Sequence, residues 1–202
     1  MTARHPSGMG FTPTGRRRWY ALMLRGLIAV AAGIAAVTIS AAVGKALLIG
    51  YLVLDGLLAI TLAFTLSIPR RSRVLFGADG CVDAIVALAL IVLAPTTATL
   101  VVIVSNWAIA TGVLEVGAAV LMPRVPGLAW MIGAAGLLSC CVGIVALDWT
   151  DLSIVGILYV FGAYAVVVGG LFVTFGFMLL RAVRATEAAR ASAADRNSDS
   201  LS

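Results

Sequence analysis

Five ionisable side chains, Arg25, Asp55, Asp79, Asp83 and Glu115, stand inside stretches of sequence that are otherwise almost wholly apolar. Four carboxylates and one guanidinium in such positions suit two kinds of chemistry. One is a proton held by, or relayed between, buried acids; the other is an interhelical ion-pair and hydrogen-bond network that fixes helix register. Asp79 and Asp83 are four residues apart and so share a helix face. Other reactive residue types are scarce. The single histidine, His5, precedes the first apolar stretch, and Cys81, Cys140 and Cys141 form no CxxC pair, so neither a zinc site nor a disulfide scaffold is expected. A thiol in mid-span with no cation beside it behaves as a small hydrophobe. No nucleophile and base pair, no HExxH and no phosphate-binding glycine loop occurs, because the glycines stand within apolar helices and not after strands. The expectation is a protein that is not an enzyme and takes no cofactor and no metal.

The elements that must position these five residues follow from composition. Of 202 residues, 62% are hydrophobic and 11% charged, and the mean hydropathy is +1.10; a soluble domain is nearer half apolar and a quarter charged. That much apolar sequence exceeds what a soluble core can bury, so the solvent is a bilayer. Six stretches supply the roughly 20 apolar residues a span needs, near 19–40, 44–68, 74–94, 98–121, 127–147 and 153–180. All are helical, since lipid offers the backbone no partner, and the fold class is all-α, a polytopic six-helix bundle. The breaks are Pro69 with Arg70, Arg71 and Arg73, then Pro95, then Pro123, Arg124 and Pro126, then 148–151.

Basic residues fix the orientation. Arg4, Arg16, Arg17, Arg18, Arg70, Arg71, Arg73, Arg124, Arg181, Arg184, Arg190 and Arg196 fall on one side, Lys45 on the other and Arg25 within a span, which accounts for all 14 basic residues. Both termini are therefore expected in the cytoplasm. The net charge of +5 is explained by this rule together with anionic headgroups, with no need for a nucleic acid partner. The Arg16 to Arg18 run before an apolar stretch has the form of a secretion signal, but the stretch is too long for one and belongs to a repeat, so it reads as a retained first helix. Residues 1–18 are expected to be a disordered basic tail, 19–180 the membrane domain, and 181–202 a cytoplasmic tail, disordered from about Ala188. Trp19, Trp107, Trp130 and Trp149 fit interfacial anchors, and Asn106 is placed to bond across helices.

The repeat has a period of roughly 55 residues, two spans per unit. Its first helix reads RGLIAVAAGI from Arg25, DGCVDAIVAL from Asp79 and AGLLSCCVGI from Ala135. Gly26, Gly80 and Gly136 coincide, followed seven residues on by Gly33, Ala87 and Gly143. The second helix carries an aromatic residue and, five positions later, a glycine: Tyr51 and Gly56, Trp107 and Gly112, Tyr164 and Gly169. Units of two spans enter from the same side, so a symmetry axis runs along the membrane normal, and three hairpins in a ring is the simplest arrangement. Small residues let helix backbones approach closely. The last helix continues the habit with Gly156, Gly162, Gly169 and Gly176, a stripe that packs either inside the bundle or against a second copy of the chain.

Over residues 19–180 these motifs resemble the HdeD family of small bacterial acid-resistance membrane proteins. The resemblance implies a six-span bacterial inner-membrane protein linked to acid and stress tolerance, a structural or assembly component with no catalytic role, and it carries over no mechanism. Asp79 and Asp83 in the third helix depart from the family's pattern, as does the lack, in the first and third units, of the proline that Pro95 supplies in the second. Two alternatives stand beside this reading: a small channel or transporter that moves a proton or solute past the carboxylates, and an accessory subunit of a larger membrane complex. Homo-oligomerisation is the default for a small membrane protein with spare packing faces. A transporter also needs polar groups in the outer half of the membrane, where this sequence offers little beyond Thr38, Ser40, Lys45, Thr96, Thr97 and Thr99.

An aspartate at a span centre costs roughly 2.5 to 3.5 kcal/mol on insertion scales, against about 0.3 to 0.6 returned by each Leu, Ile or Val. The third helix therefore has to be held by its neighbours. At 1.5 Å per residue from the cytoplasmic end, Arg25, Asp79 and Glu115 lie about 8 to 9 Å deep, Asp83 about 14 Å and Asp55 about 19 Å. Shared depth predicts that Arg25 pairs with Asp79 or Glu115. One cation against four carboxylates leaves an excess of negative charge, so at least one acid, Asp83 or Asp55, is expected to carry a proton.

Overall fold

A backbone amide in hydrocarbon finds a partner only within its own segment or in a closed barrel, and the computed structural model of the chain is built accordingly. It describes residues 18–65, 69–93, 96–121, 126–149 and 153–199. Six helices follow in order: α1 (Arg18–Thr38), α2 (Ala41–Thr65), α3 (Arg70–Val92), α4 (Thr97–Val120), α5 (Pro126–Asp148) and α6 (Ile154–Asp199). No strand occurs among the described residues. All six helices are long and apolar enough to cross a membrane, and the chain is a multi-pass membrane protein. The expected tail up to residue 17, with Arg4, His5, Arg16 and Arg17, lies outside the described residues, as do Pro95 and Arg124.

Helix starts follow local chemistry. Pro69 caps α3 with φ −52°, a value its ring enforces, so Arg70, Arg71 and Arg73, read above as loop residues, form the first turn of α3. Pro126 opens α5, where a missing N–H costs nothing. Thr96 Oγ1 accepts from the Thr99 amide at 3.3 Å at the start of α4, and Ser153 Oγ accepts from the Gly156 amide at 3.2 Å before α6. The outward hydroxyls of Thr38, Thr61 and Thr65 donate to carbonyls of their own helices, as does Asn106 Nδ2, to Val102 at 2.8 Å. Asn106 thus makes no bond across helices.

The tail expected to be disordered from Ala188 is instead helical, because α6 continues to Asp199. Residues 181–199 contain neither glycine nor proline and are rich in Ala and Arg, the strongest helix formers. At 1.5 Å per residue α6 is about 69 Å long, more than twice the roughly 30 Å of hydrocarbon.

The surface is that of a protein dissolved in lipid: Phe64 and Trp130 are each 78% exposed and Val120 74%. Inside, the closest packing joins α1 to α6, α2 to α3 and α4 to α5, while α1 with α2 and α5 with α6, neighbours in sequence, touch more loosely. Glycines make these three seams. A Cβ on Gly26 would lie 2.6 Å from the Gly169 carbonyl oxygen, and one on Gly33 2.7 Å from that of Gly162. Gly80 meets the Gly56 carbonyl at 2.6 Å, Gly136 that of Gly112 at 2.6 Å, and Gly143 that of Ser105 at 2.7 Å. Gly176 abuts Met23. The stripe formed by Gly162, Gly169 and Gly176 is therefore occupied by α1, within the bundle.

Adjacent glycines separate packing from mere presence. Gly169 has no room for a methyl group, whereas a Cβ on Gly170 meets nothing within 4 Å. Gly169→Ala should lower the unfolding free energy in lipid or detergent by about 1 to 3 kcal/mol through overpacking. Gly170→Ala should leave it within about 0.5 kcal/mol of the parent or raise it.

Candidate functional site

The repeat glycines Gly26, Gly80 and Gly136, and Gly56, Gly112 and Gly169, are each preceded by a residue at an equivalent position: Arg25, Asp79 and Ala135 on the odd helices, Asp55, Thr111 and Val168 on the even ones. All six are buried. One turn away on the even helices, before this set, stand Tyr51, Trp107 and Tyr164, and one turn beyond it stand Ala59, Glu115 and Phe172, again all at equivalent positions. Helical periodicity puts residues four apart on one face. The aromatic residue of the repeat thus heads a stripe whose middle, the residue before the repeat glycine, carries the charge in the first unit.

The charges meet through Arg25. Its Nε donates to Asp55 Oδ1 at 2.8 Å and its Nη2 to Asp55 Oδ2 at 2.8 Å, a bidentate fork of the kind that gives arginine its geometric specificity. The same Nη2 lies 3.4 Å from Asp79 Oδ2 and 3.5 Å from Glu115 Oε1. Phe172 backs the guanidinium, its ring centroid 5.1 Å from Cζ, a cation–π contact. Four helices, α1, α2, α3 and α4, are joined through one side chain. The depth estimate gives Asp79 or Glu115 as the partner, and Arg25 pairs with both, while the bidentate fork goes to Asp55. A long arginine stem reaches across the difference in depth.

Asp83 sits apart from the guanidinium. It is fully buried; its Oδ1 accepts from Trp107 Nε1 at 2.6 Å, and its Oδ2 lies in the α2–α3 seam without a hydrogen-bond partner. Asp79 Oδ1 and Arg25 Nη1 are likewise buried and without a partner. Asp55 takes the fork, so Asp83, and not Asp55, is the carboxyl held without a cation. A second short network runs beside this one. Tyr164 Oη and Ser139 Oγ are 3.1 Å apart, and Ser139 Oγ donates to the Ala108 carbonyl at 2.8 Å.

Trp107, expected at an interface, is 5% exposed and belongs to the network. Tyr51, Thr111, Ser139 and Tyr164 were not singled out for chemistry; the signal that marks them is their offset from the repeat glycines, by five residues before, one before or three after. Cys81 and Cys141 face outward and Cys140 is partly buried, and no cluster with metal-binding composition occurs among the described residues.

Apolar clusters close the polar layer at both ends. Leu22, Leu62, Phe76, Ala118 and Ile132 pack toward the end that carries Arg70 and Arg71. Ala36, Leu48, Leu90, Leu100 and Leu158 pack toward the other. The site is a polar layer between two apolar clusters, suited to fixing register and to holding protons. Comparison with protein-family models, curated proteins and solved structures finds no match.

Trp107→Phe keeps a ring but removes the one donor to Asp83 among the described residues, and should destabilise the fold by about 1 to 3 kcal/mol, the penalty of a buried acceptor left unpaired. Adding Asp83→Leu should return most of that loss. Unfolding of the four proteins in mixed micelles reads both effects.

Proposed function

We propose that this chain is a six-span protein of the bacterial inner membrane, similar to the HdeD family, that serves acid and stress tolerance as a structural or assembly component and not as an enzyme. Both termini lie in the cytoplasm in this reading, in keeping with the basic residues at one end of the bundle. The three hairpins are arranged about an axis along the membrane normal, each odd helix packing on the even helix of the neighbouring unit. Supporting that arrangement, Gly26 meets Gly169 as Gly80 meets Gly56 and Gly136 meets Gly112.

The observation that carries the reading is the buried layer of one guanidinium and four carboxylates closed between two apolar clusters. Such a layer gives no passage, yet it ties helix packing to its own charge state. Adding or removing a proton on Asp55, Asp79 or Glu115 changes what surrounds Arg25, and therefore what joins α1 to α2, α3 and α4. A bundle built this way resists or reports acid without conducting it. Polar groups that point away from both clusters would be needed for transport, and the exposed hydroxyls of Thr38 and Thr61 are bonded within their own helices. An accessory role, or association with a second copy, would have to use faces other than the glycine stripe of α6, which α1 covers.

Two measurements test this function. Purified protein in liposomes under an imposed pH gradient should pass no more protons than empty liposomes, and Asp83→Asn should not alter that. Bacteria lacking the gene should survive acid challenge at high cell density less well than the parent, and the wild-type gene should restore survival while an Arg25→Met copy does not. Flux above background that disappears in Asp83→Asn would replace this reading with a conducting one.

A further inference from the structure

The repeat makes the same side-chain bond twice and omits it once. In the second unit the axial aromatic Trp107 donates to Asp83, three residues past the repeat glycine of the paired odd helix. In the third, Tyr164 bonds Ser139 at the equivalent place. The first unit puts Tyr51 on α2, but the equivalent residue on α1 is Ala29, which has nothing to accept or donate. Where that bond would be, the structure holds a cavity of about 10 Å³, lined by Ala29 together with Arg25, Tyr51, Asp55, Thr111, Glu115 and Tyr164. Arg25, whose buried Nη1 has no partner, is among its walls.

We propose that this cavity is a binding site for one water molecule, held by Arg25 Nη1, the Tyr51 hydroxyl and the oxygens of Glu115 and Thr111. Three lines of physical argument lead there. The volume matches that of a single water and excludes anything larger. The lining is polar on several sides, so two to four hydrogen bonds are available, whereas dry cavities in proteins are apolar. Finally, an arginine N–H in the membrane interior without an acceptor is costly, and water is the one acceptor of that size. The bound water joins Tyr51 and Thr111 to the Arg25 cluster. Water is confined to the layer, because the apolar clusters above and below it shut out a continuous file.

Hydroxyl-radical footprinting by short X-ray pulses, on the full chain in lipid nanodiscs, reads the site directly, since bound water generates radicals where bulk solvent does not reach. Tyr51 should be modified at least about ten times faster than Phe76, an aromatic residue that is also buried but packed in an apolar cluster. Ala29→Ser, which supplies the missing partner and occupies the space, should bring Tyr51 down toward the Phe76 rate. Tyr51 labelled no faster than Phe76 in the parent would mean a dry cavity and overturn the proposal. Strong labelling of Phe76 as well would mean a hydrated channel through the bundle, and would overturn it equally. Both contrary outcomes are read on the parent protein, so the test does not depend on the variant folding.

Discussion

One guanidinium has to answer for four carboxylates in a medium that solvates none of them. That constraint organises the middle of the molecule. Arg25 commits two donors to a fork on Asp55 at 2.8 Å and turns the same Nη2 toward Asp79 and Glu115, so that α1 to α4 are tied through a single stem. Taking either partner away leaves the other buried and uncompensated, which is costlier than never having had the pair. The ion pairs are therefore better understood as specifying one arrangement of helices than as a large source of stability.

Such a network works only if backbones come close enough for short acids to reach the cation, and this is the part that glycine plays. The apolar faces of these helices gain little from leaving lipid for protein, so association rests on dispersion at close range. Carbonyl oxygens of Gly56, Gly112 and Gly169 lie where a methyl group on the opposing glycine would be. The seam glycine and the charged residue stand next to each other in sequence because the two needs coincide in space: the first brings the helices together, the second uses the proximity.

Much of this was legible in the sequence. Composition demanded a bilayer, and hydropathy with proline and basic interruptions placed six helices to within a few residues. The glycine repeat identified the residues that form the seams. It did not reveal that they pair between hairpins, because a repeat lists equivalent positions and is silent on which of them meet. Depth along a helix identified Asp79 and Glu115 as partners of Arg25 but missed the fork on Asp55, since it ignores side-chain reach. Trp107 was assigned to an interface on residue type alone; the offset of four from Thr111 carried the better information. The end of α6 was misread because polar, Ala-rich composition suits a solvated helix as well as a disordered tail.

The central claim is that Arg25 and Asp55 act as one unit on which the bundle depends, and a double-mutant cycle of unfolding free energies with Arg25→Met, Asp55→Leu and the pair tests it most directly. Each single change should cost about 3 to 5 kcal/mol, and the double mutant should fall short of their sum by at least about 1 kcal/mol. Effects that add within about 0.5 kcal/mol, as those of independent sites do, would contradict the account.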